Sequence, residues 1–139
     1  MGVGRILFLA DTHLGYDYPL RPRIVRRRRG DDFFALYRTA LQIARDEGAH
    51  AVIHGGDVFH RSRVPAPVLH KAFEPLVDLA DDGVSVFIVP GNHERSVIPN
   101  SLFALHDRIH VFGSPSSVTA DIGEITVRIH GFPCIRNGI

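Results

Sequence analysis

The stretch ILFLADTHLG, residues 6–15, decides how this chain is read. An uninterrupted apolar run over residues 6–10 ends abruptly in Asp11-Thr12-His13. Such a run is expected of a strand buried on both faces, the habit of parallel sheets. The same grammar recurs twice. Residues 51–53 lead into Gly55-Gly56-Asp57, and residues 84–89 lead into Gly91-Asn92-His93-Glu94. Asp, His and Asn are ligand types for divalent metals. Polar groups at three successive strand ends predict one metal site assembled by the fold.

The intervening segments read as helices. Asp31 or Asp32 suits a helix N-terminus. Phe33, Leu36, Tyr37, Ala40, Ile43 and Ala44 then recur at helical spacing as one apolar stripe, and Gly48 ends it. A second helix is predicted from about Ala66, with Val68, Leu69, Ala72, Phe73, Leu76 and Val77 on one side. Pro75 predicts a kink or break there, and Asp81-Asp82-Gly83 a stop. Asn100 or Ser101 is placed to cap a short helix reaching about His106. A fourth strand is expected over residues 109–112, and a hairpin over 118–122 and 125–130 around Gly123. Strand, helix, strand, helix, strand implies an α/β domain with right-handed crossovers and a largely parallel sheet. Ligands of such sheets bind beyond the carboxyl ends of the strands, where Asp11, Asp57 and Asn92 all fall.

Composition bounds the function classes. The 139 residues suffice for one domain with a real core. The single cysteine, Cys134, cannot form an internal disulfide, which fits a reducing compartment; its bland reading is a small buried residue. No stretch approaches the ~20 apolar residues of a membrane span. No secretory signal is evident, so a cytoplasmic location is expected. A formal net charge of +1 excludes a bulk polycation. Arginine is nevertheless concentrated: Arg21, Arg23, Arg26, Arg27, Arg28 and Arg29 fall within residues 21–29. That run is either a solvated loop or a contact for nucleic-acid phosphates, with Arg26 to Arg29 as the candidates.

The blocks carry a coherent chemistry. Asp11 and His13 aim in one direction if the backbone turns at Thr12. Gly55 and Gly56 let the chain fold tightly before Asp57. Asn92 offers a neutral amide oxygen. Two cations roughly 3.5–4 Å apart need a bridging carboxylate and suit in-line attack on a phosphorus ester. Asp57, central in order, is the natural bridge. His93, beside a ligand, is placed to donate a proton toward the leaving oxygen. His60 either helps position the site or makes a structural hydrogen bond. His50, His54, His70, His106 and His110 have no motif around them and read as ordinary histidines.

Asp11-Thr12-His13, Gly56-Asp57 and Gly91-Asn92-His93-Glu94 resemble the signature blocks of the calcineurin-like metallophosphoesterases. Asp11-Thr12-His13-Leu14-Gly15, Arg29-Gly30-Asp31-Asp32-Phe33-Phe34 and Gly56-Asp57-Val58-Phe59-His60 resemble the SbcD-type DNA double-strand-break repair nucleases in particular. The resemblance implies the N-terminal half of a calcineurin-like α/β fold, with a largely parallel central sheet flanked by helices. It implies Asp11 and His13 on a first manganese ion, Asp57 bridging, Asn92 on a second, and His93 assisting catalysis. It further implies DNA as substrate, a coiled-coil ATPase partner and a homodimer. The family carries two further histidine blocks downstream, a lone histidine and Gly-His-x-His, which residues 1–139 do not contain. The whole chain is therefore expected to be one nuclease domain cut before those blocks, and a poor phosphodiesterase in isolation. Two rivals stand beside this reading: a general metallophosphoesterase for nucleotides, phosphoproteins or small diesters, and an inactive half-domain serving as a binding or assembly module.

Overall fold

The computed structural model describes residues 2–16, 29–60, 64–91 and 106–133, with only the backbone at Arg29. Its elements follow the expected order: β1 (Ile6–Leu9), α1 (Arg29–Asp46), β2 (Ala51–His54), α2 (Ala66–Asp81), β3 (Ser85–Ile88), β4 (Ile109–Val111), β5 (Ser116–Ile122) and β6 (Ile125–Gly131). β1 to β4 form one parallel sheet in the order β1-β2-β3-β4. β5 and β6 form an antiparallel hairpin closed at Ile122 and Ile125, with Gly123 at φ 63° in the turn.

Alternation along the strands creates two cores. Val52, Val86 and Ile88 turn toward the helices, where they meet Phe34, Tyr37 and Leu41 of α1 and Ala72, Phe73 and Leu76 of α2. Ala51, Ile53 and Phe87 turn the other way, onto Phe112 and the hairpin residues Ile122, Val118 and Ile129. The sheet is thus a middle layer between two helices and a hairpin.

Both helices end on the predicted glycines. Gly48 has φ 64°; its N–H donates to the Arg45 carbonyl, and the Ala49 N–H to the Ala44 carbonyl. Gly83, at φ 93°, closes α2 in the same way, with the Val84 N–H reaching back to Leu79. Both are Schellman closures that only glycine makes without strain. Arg45 and Asp82 then tie the two helix ends together by an ion pair. At its start α2 carries Pro65 and Pro67, which remove N–H groups that lack partners in a first turn anyway.

Three expectations need correction. β1 is not buried on both faces: Leu7 and Leu9 join the helix-side core, but Ile6 and Phe8 are exposed. β1 is the edge strand, and the hairpin packs over β2, β3 and the end of β4 instead. The buried stripe of α1 is Phe34, Tyr37, Leu41 and Ala44, while Leu36 and Ile43 face solvent. Two overlapping apolar stripes exist in that helix, and tertiary packing selects the one containing Leu41. Finally, of the kink or break expected at Pro75, the break is absent: α2 runs unbroken through it. The expected short helix before His106 and Cys134 lie outside the described residues.

Candidate metal centre

Sheet register decides where the polar blocks meet. Leu9, His54 and Ile88 stand level across β1, β2 and β3. The chain therefore leaves all three strands at one end of the sheet, and Asp11, Asp57 and Gly91 follow as neighbours. The first two loops go on pairing beyond their strands. The Gly55 N–H donates to the Leu9 carbonyl at 2.8 Å and the Asp11 N–H to the Gly56 carbonyl at 2.9 Å. The His13 N–H reaches the Asp57 carbonyl at 3.0 Å, and the Leu14 N–H the Val58 carbonyl at 2.7 Å. Leu14 and Phe59 form an isolated parallel bridge and are both buried, sealing the loops from below.

Asp11, His13 and Asp57 have φ of 55°, 44° and 53°, and are the non-glycine residues with positive φ among those described. Left-handed backbone at a non-glycine residue costs on the order of 1 kcal/mol, and such residues cluster at functional sites. Here the strain falls on the three predicted ligands. One donor atom from each lies within 4.8 Å of the others. Asp11 is exposed, with its Oδ1 3.9 Å from His13 Nε2. Asp57 Oδ1 is buried and has no hydrogen-bond partner among the described residues. A buried carboxylate oxygen with no donor is unfavourable, and a cation shared with Asp11 and His13 removes that cost. Two carboxylates and an imidazole are a suitable donor set for a divalent transition ion. Gly91 shapes the same space. A Cβ there would overlap the Asp57 carboxylate and stand 2.6 Å from the Asp57 backbone nitrogen.

His60 lies beside this cluster. Its Nδ1 faces His13 Nδ1 at 3.2 Å, a contact that needs a proton on one of the two nitrogens. A proton on His13 Nδ1 leaves its Nε2 free as a ligand atom, the usual arrangement for a metal-binding histidine. Tyr16 meets the His60 ring at a tilt, with centroids 4.7 Å apart, and Phe33 edge-on at 5.3 Å, giving the site an aromatic margin.

One participant had no sequence motif. His54 ends β2 and is buried, 4 % exposed. Its Nδ1 accepts from the Gly56 N–H at 3.2 Å, so the ring proton sits on Nε2, which meets Thr12 Oγ1 at 2.9 Å. Thr12 in turn donates to the Val58 carbonyl at 3.0 Å. Burial pushes the His54 imidazole down to about 4; the Asp11 carboxylate opposes this and His13 adds to it. The sequence signal was a histidine closing an otherwise apolar strand inside a covered parallel sheet.

The structure thus brings together Asp11, His13, Asp57 and His60. Asn92, His93 and Arg26 to Arg28 lie outside the described residues, and Arg29 opens α1. Among the described residues no helix is long and apolar enough to cross a membrane.

The chain is similar to known proteins. The calcineurin-like phosphoesterase family matches residues 4–138. An Archaeoglobus fulgidus protein named DNA double-strand break repair protein Mre11 is 34 % identical over 89 residues, which are 63 % of this chain and 19 % of that protein. The Haloferax volcanii protein of that name is 33 % identical over 92 residues, 66 % of this chain and 20 % of the relative. The one from Aeropyrum pernix is 28 % identical over 138 residues, 92 % of this chain and 32 % of the relative. The chain therefore spans between a fifth and a third of these relatives.

Proposed function

The chain belongs to the calcineurin-like phosphoesterase family, and from that premise we propose that it carries the metal-binding core of an SbcD- and Mre11-like enzyme hydrolysing DNA phosphodiester bonds. One observation carries the reading. Asp11, His13 and Asp57 converge with strained backbones, and Asp57 Oδ1 is buried without a donor among the described residues. A hydrogen-bonding or capping role would not call for three left-handed non-glycine residues around one point.

In this proposal Asp11 and His13 would hold a first divalent ion, Asp57 would be shared with a second, and Asn92 would contribute to the second. Manganese suits a mixed carboxylate, imidazole and amide donor set. Two such ions, when bound, neutralise phosphate charge and activate water for in-line attack. The protein's own groups do the rest. The paired loops hold the carboxylates in register, and a proton on His13 Nδ1, shared with His60, would turn the unprotonated Nε2 to the ion. His93 donates a proton to the leaving oxygen, and Arg26 to Arg29 grip the DNA backbone beside the site. His60, under the Tyr16 ring, lines the approach of the strand. A coiled-coil ATPase partner, a homodimer and a cytoplasmic location follow from the resemblance alone.

Calorimetric titration with Mn²⁺ tests the centre. Wild-type protein is expected to bind, and Asp57→Ala to bind at least tenfold more weakly. Equal isotherms would remove the metal reading. Duplex DNA with an open end is expected to compete for the Mn²⁺-loaded protein far better than a small diester such as bis(p-nitrophenyl) phosphate. The reverse preference would point instead to a general phosphoesterase.

A further inference from the structure

His54 makes two hydrogen bonds, and their placement relative to the three candidate ligands is specific. One goes to Thr12, which stands between Asp11 and His13. The other comes from Gly56, which precedes Asp57. Thr12 closes the circuit by donating to Val58, which follows Asp57. Every residue touched by this circuit is the chain neighbour of a ligand candidate. No ligand atom is used in it, so the carboxylates and the His13 Nε2 stay available.

We propose that His54 is the positioning residue of the metal centre, acting through Thr12 to hold the Asp11–His13 loop and the Asp57 loop in ligating register. This rests on the metal-binding reading above and deepens it. The left-handed conformations at Asp11, His13 and Asp57 are unfavourable on their own and need surrounding structure to impose them. Backbone pairing between the loops orients the peptide planes at the N–H groups of Asp11, His13 and Leu14. The His54–Thr12 bond adds a side-chain restraint at the residue between two of the candidate ligands. The Gly56 bond adds one at the residue before the third. The imidazole suits the task because it accepts at one end and donates at the other, which a carboxylate or ammonium cannot do. Its burial shields both bonds from competition by water.

The test reads Mn²⁺ affinity and the electron paramagnetic resonance line shape of bound Mn²⁺, so turnover is not needed. His54→Phe and Thr12→Val each cut the circuit; each is expected to weaken Mn²⁺ binding about 10–100-fold and to broaden the spectrum. Thr12→Ser, which keeps the hydroxyl, is expected to stay near wild type, and His54→Gln, whose amide presents an N–H near the former Nε2 but no acceptor for the Gly56 N–H, to bind more tightly than His54→Phe. Circular dichroism checks the fold of each. If His54→Phe unfolds, the near-isosteric Thr12→Val decides alone. The proposal is overturned if Thr12→Val binds Mn²⁺ as wild type does while Asp57→Ala loses binding. It is equally overturned if the conservative variants lose as much as the disruptive ones, because packing and not hydrogen bonding would then be at work. Should Asp57→Ala itself bind Mn²⁺ normally, the metal reading fails first and the positioning role falls with it.

Discussion

At the residue scale the molecule concentrates its unfavourable choices in one place. Among the described residues, three non-glycine residues sit in left-handed backbone, one buried carboxylate oxygen has no donor, and one histidine is held neutral beneath them. The ligand candidates were legible in the sequence because chemistry restricts ligands to a few residue types, and these stood at strand ends. His54 was not legible in this way. A histidine has many uses, and what singles this one out is the register that sets it under Thr12. Its environment has a measurable consequence. In the folded protein the imidazole is pushed down to about 4 by burial, while an unfolded chain titrates near 6.5. Between those values the unfolded state binds more protons, so stability is present in full above about pH 6.5 and is lost as pH falls toward 4. The lost amount is about 3 kcal/mol. Urea unfolding of metal-free protein at several pH values across that window should show the decline, and His54→Gln should lack this part of it. An identical pH slope in both proteins would contradict the assigned environment.

At the element scale the fold was readable wherever local chemistry dictates a boundary. Gly48 and Gly83 ended helices because their carbonyls need a left-handed closing residue, and Gly123 marked a hairpin turn. Periodicity was less informative. α1 carries two apolar stripes one residue apart, and only contact with β1, β2 and α2 chooses Phe34, Tyr37 and Leu41 over Leu36 and Ile43. Pro75 was read as a kink or a break, and α2 is continuous there, which leaves the break aside. The lost N–H bond at Pro75 is outweighed by the burial of Phe73, Leu76 and Leu79 on either side. The Tyr37 hydroxyl also reaches this helix, donating to the Ala72 carbonyl at 2.7 Å; burial lifts its phenol far above the ordinary range. Two glycines separate conformational from steric reasons for a small residue. A Cβ at Gly48 meets no heavy atom within 4 Å, so Gly48→Ala should cost only the strain of φ 64°, about 1 kcal/mol. A Cβ at Gly131 would lie within the Phe112 ring, which anchors the hairpin to the sheet. Gly131→Ala should therefore cost more, roughly 1–3 kcal/mol. Chemical denaturation of the two variants side by side checks the order, and a larger loss at Gly48 would be inconsistent with it.

At the scale of the whole molecule the centre is also a fastening. Among the described residues β1 has a hydrogen-bonded neighbour on one side only, and its Ile6 and Phe8 are left uncovered by the hairpin. Inner strands are held by two neighbours and two cores; β1 is held by β2, by the helix-side core and by the loop pairing at its carboxyl end. That end is where Asp11 and His13 face Asp57. Without a cation, the clustered donors and the strained backbone work against the very junction that secures the edge strand. With a cation, they become its strongest link, because the ion binds the folded arrangement and not the unfolded chain. Mn²⁺ at a hundredfold excess over its dissociation constant should add about 2.7 kcal/mol to the unfolding free energy. For a domain of this size that raises the melting temperature by roughly 5–10 °C. Chelation with EDTA should return it to the starting value. Asp57→Ala should show no Mn²⁺-dependent shift, since one of the three converging donors is gone. Melting curves of wild-type protein that coincide with and without Mn²⁺ would mean that the convergence of Asp11, His13 and Asp57 has no bearing on how the edge strand is held.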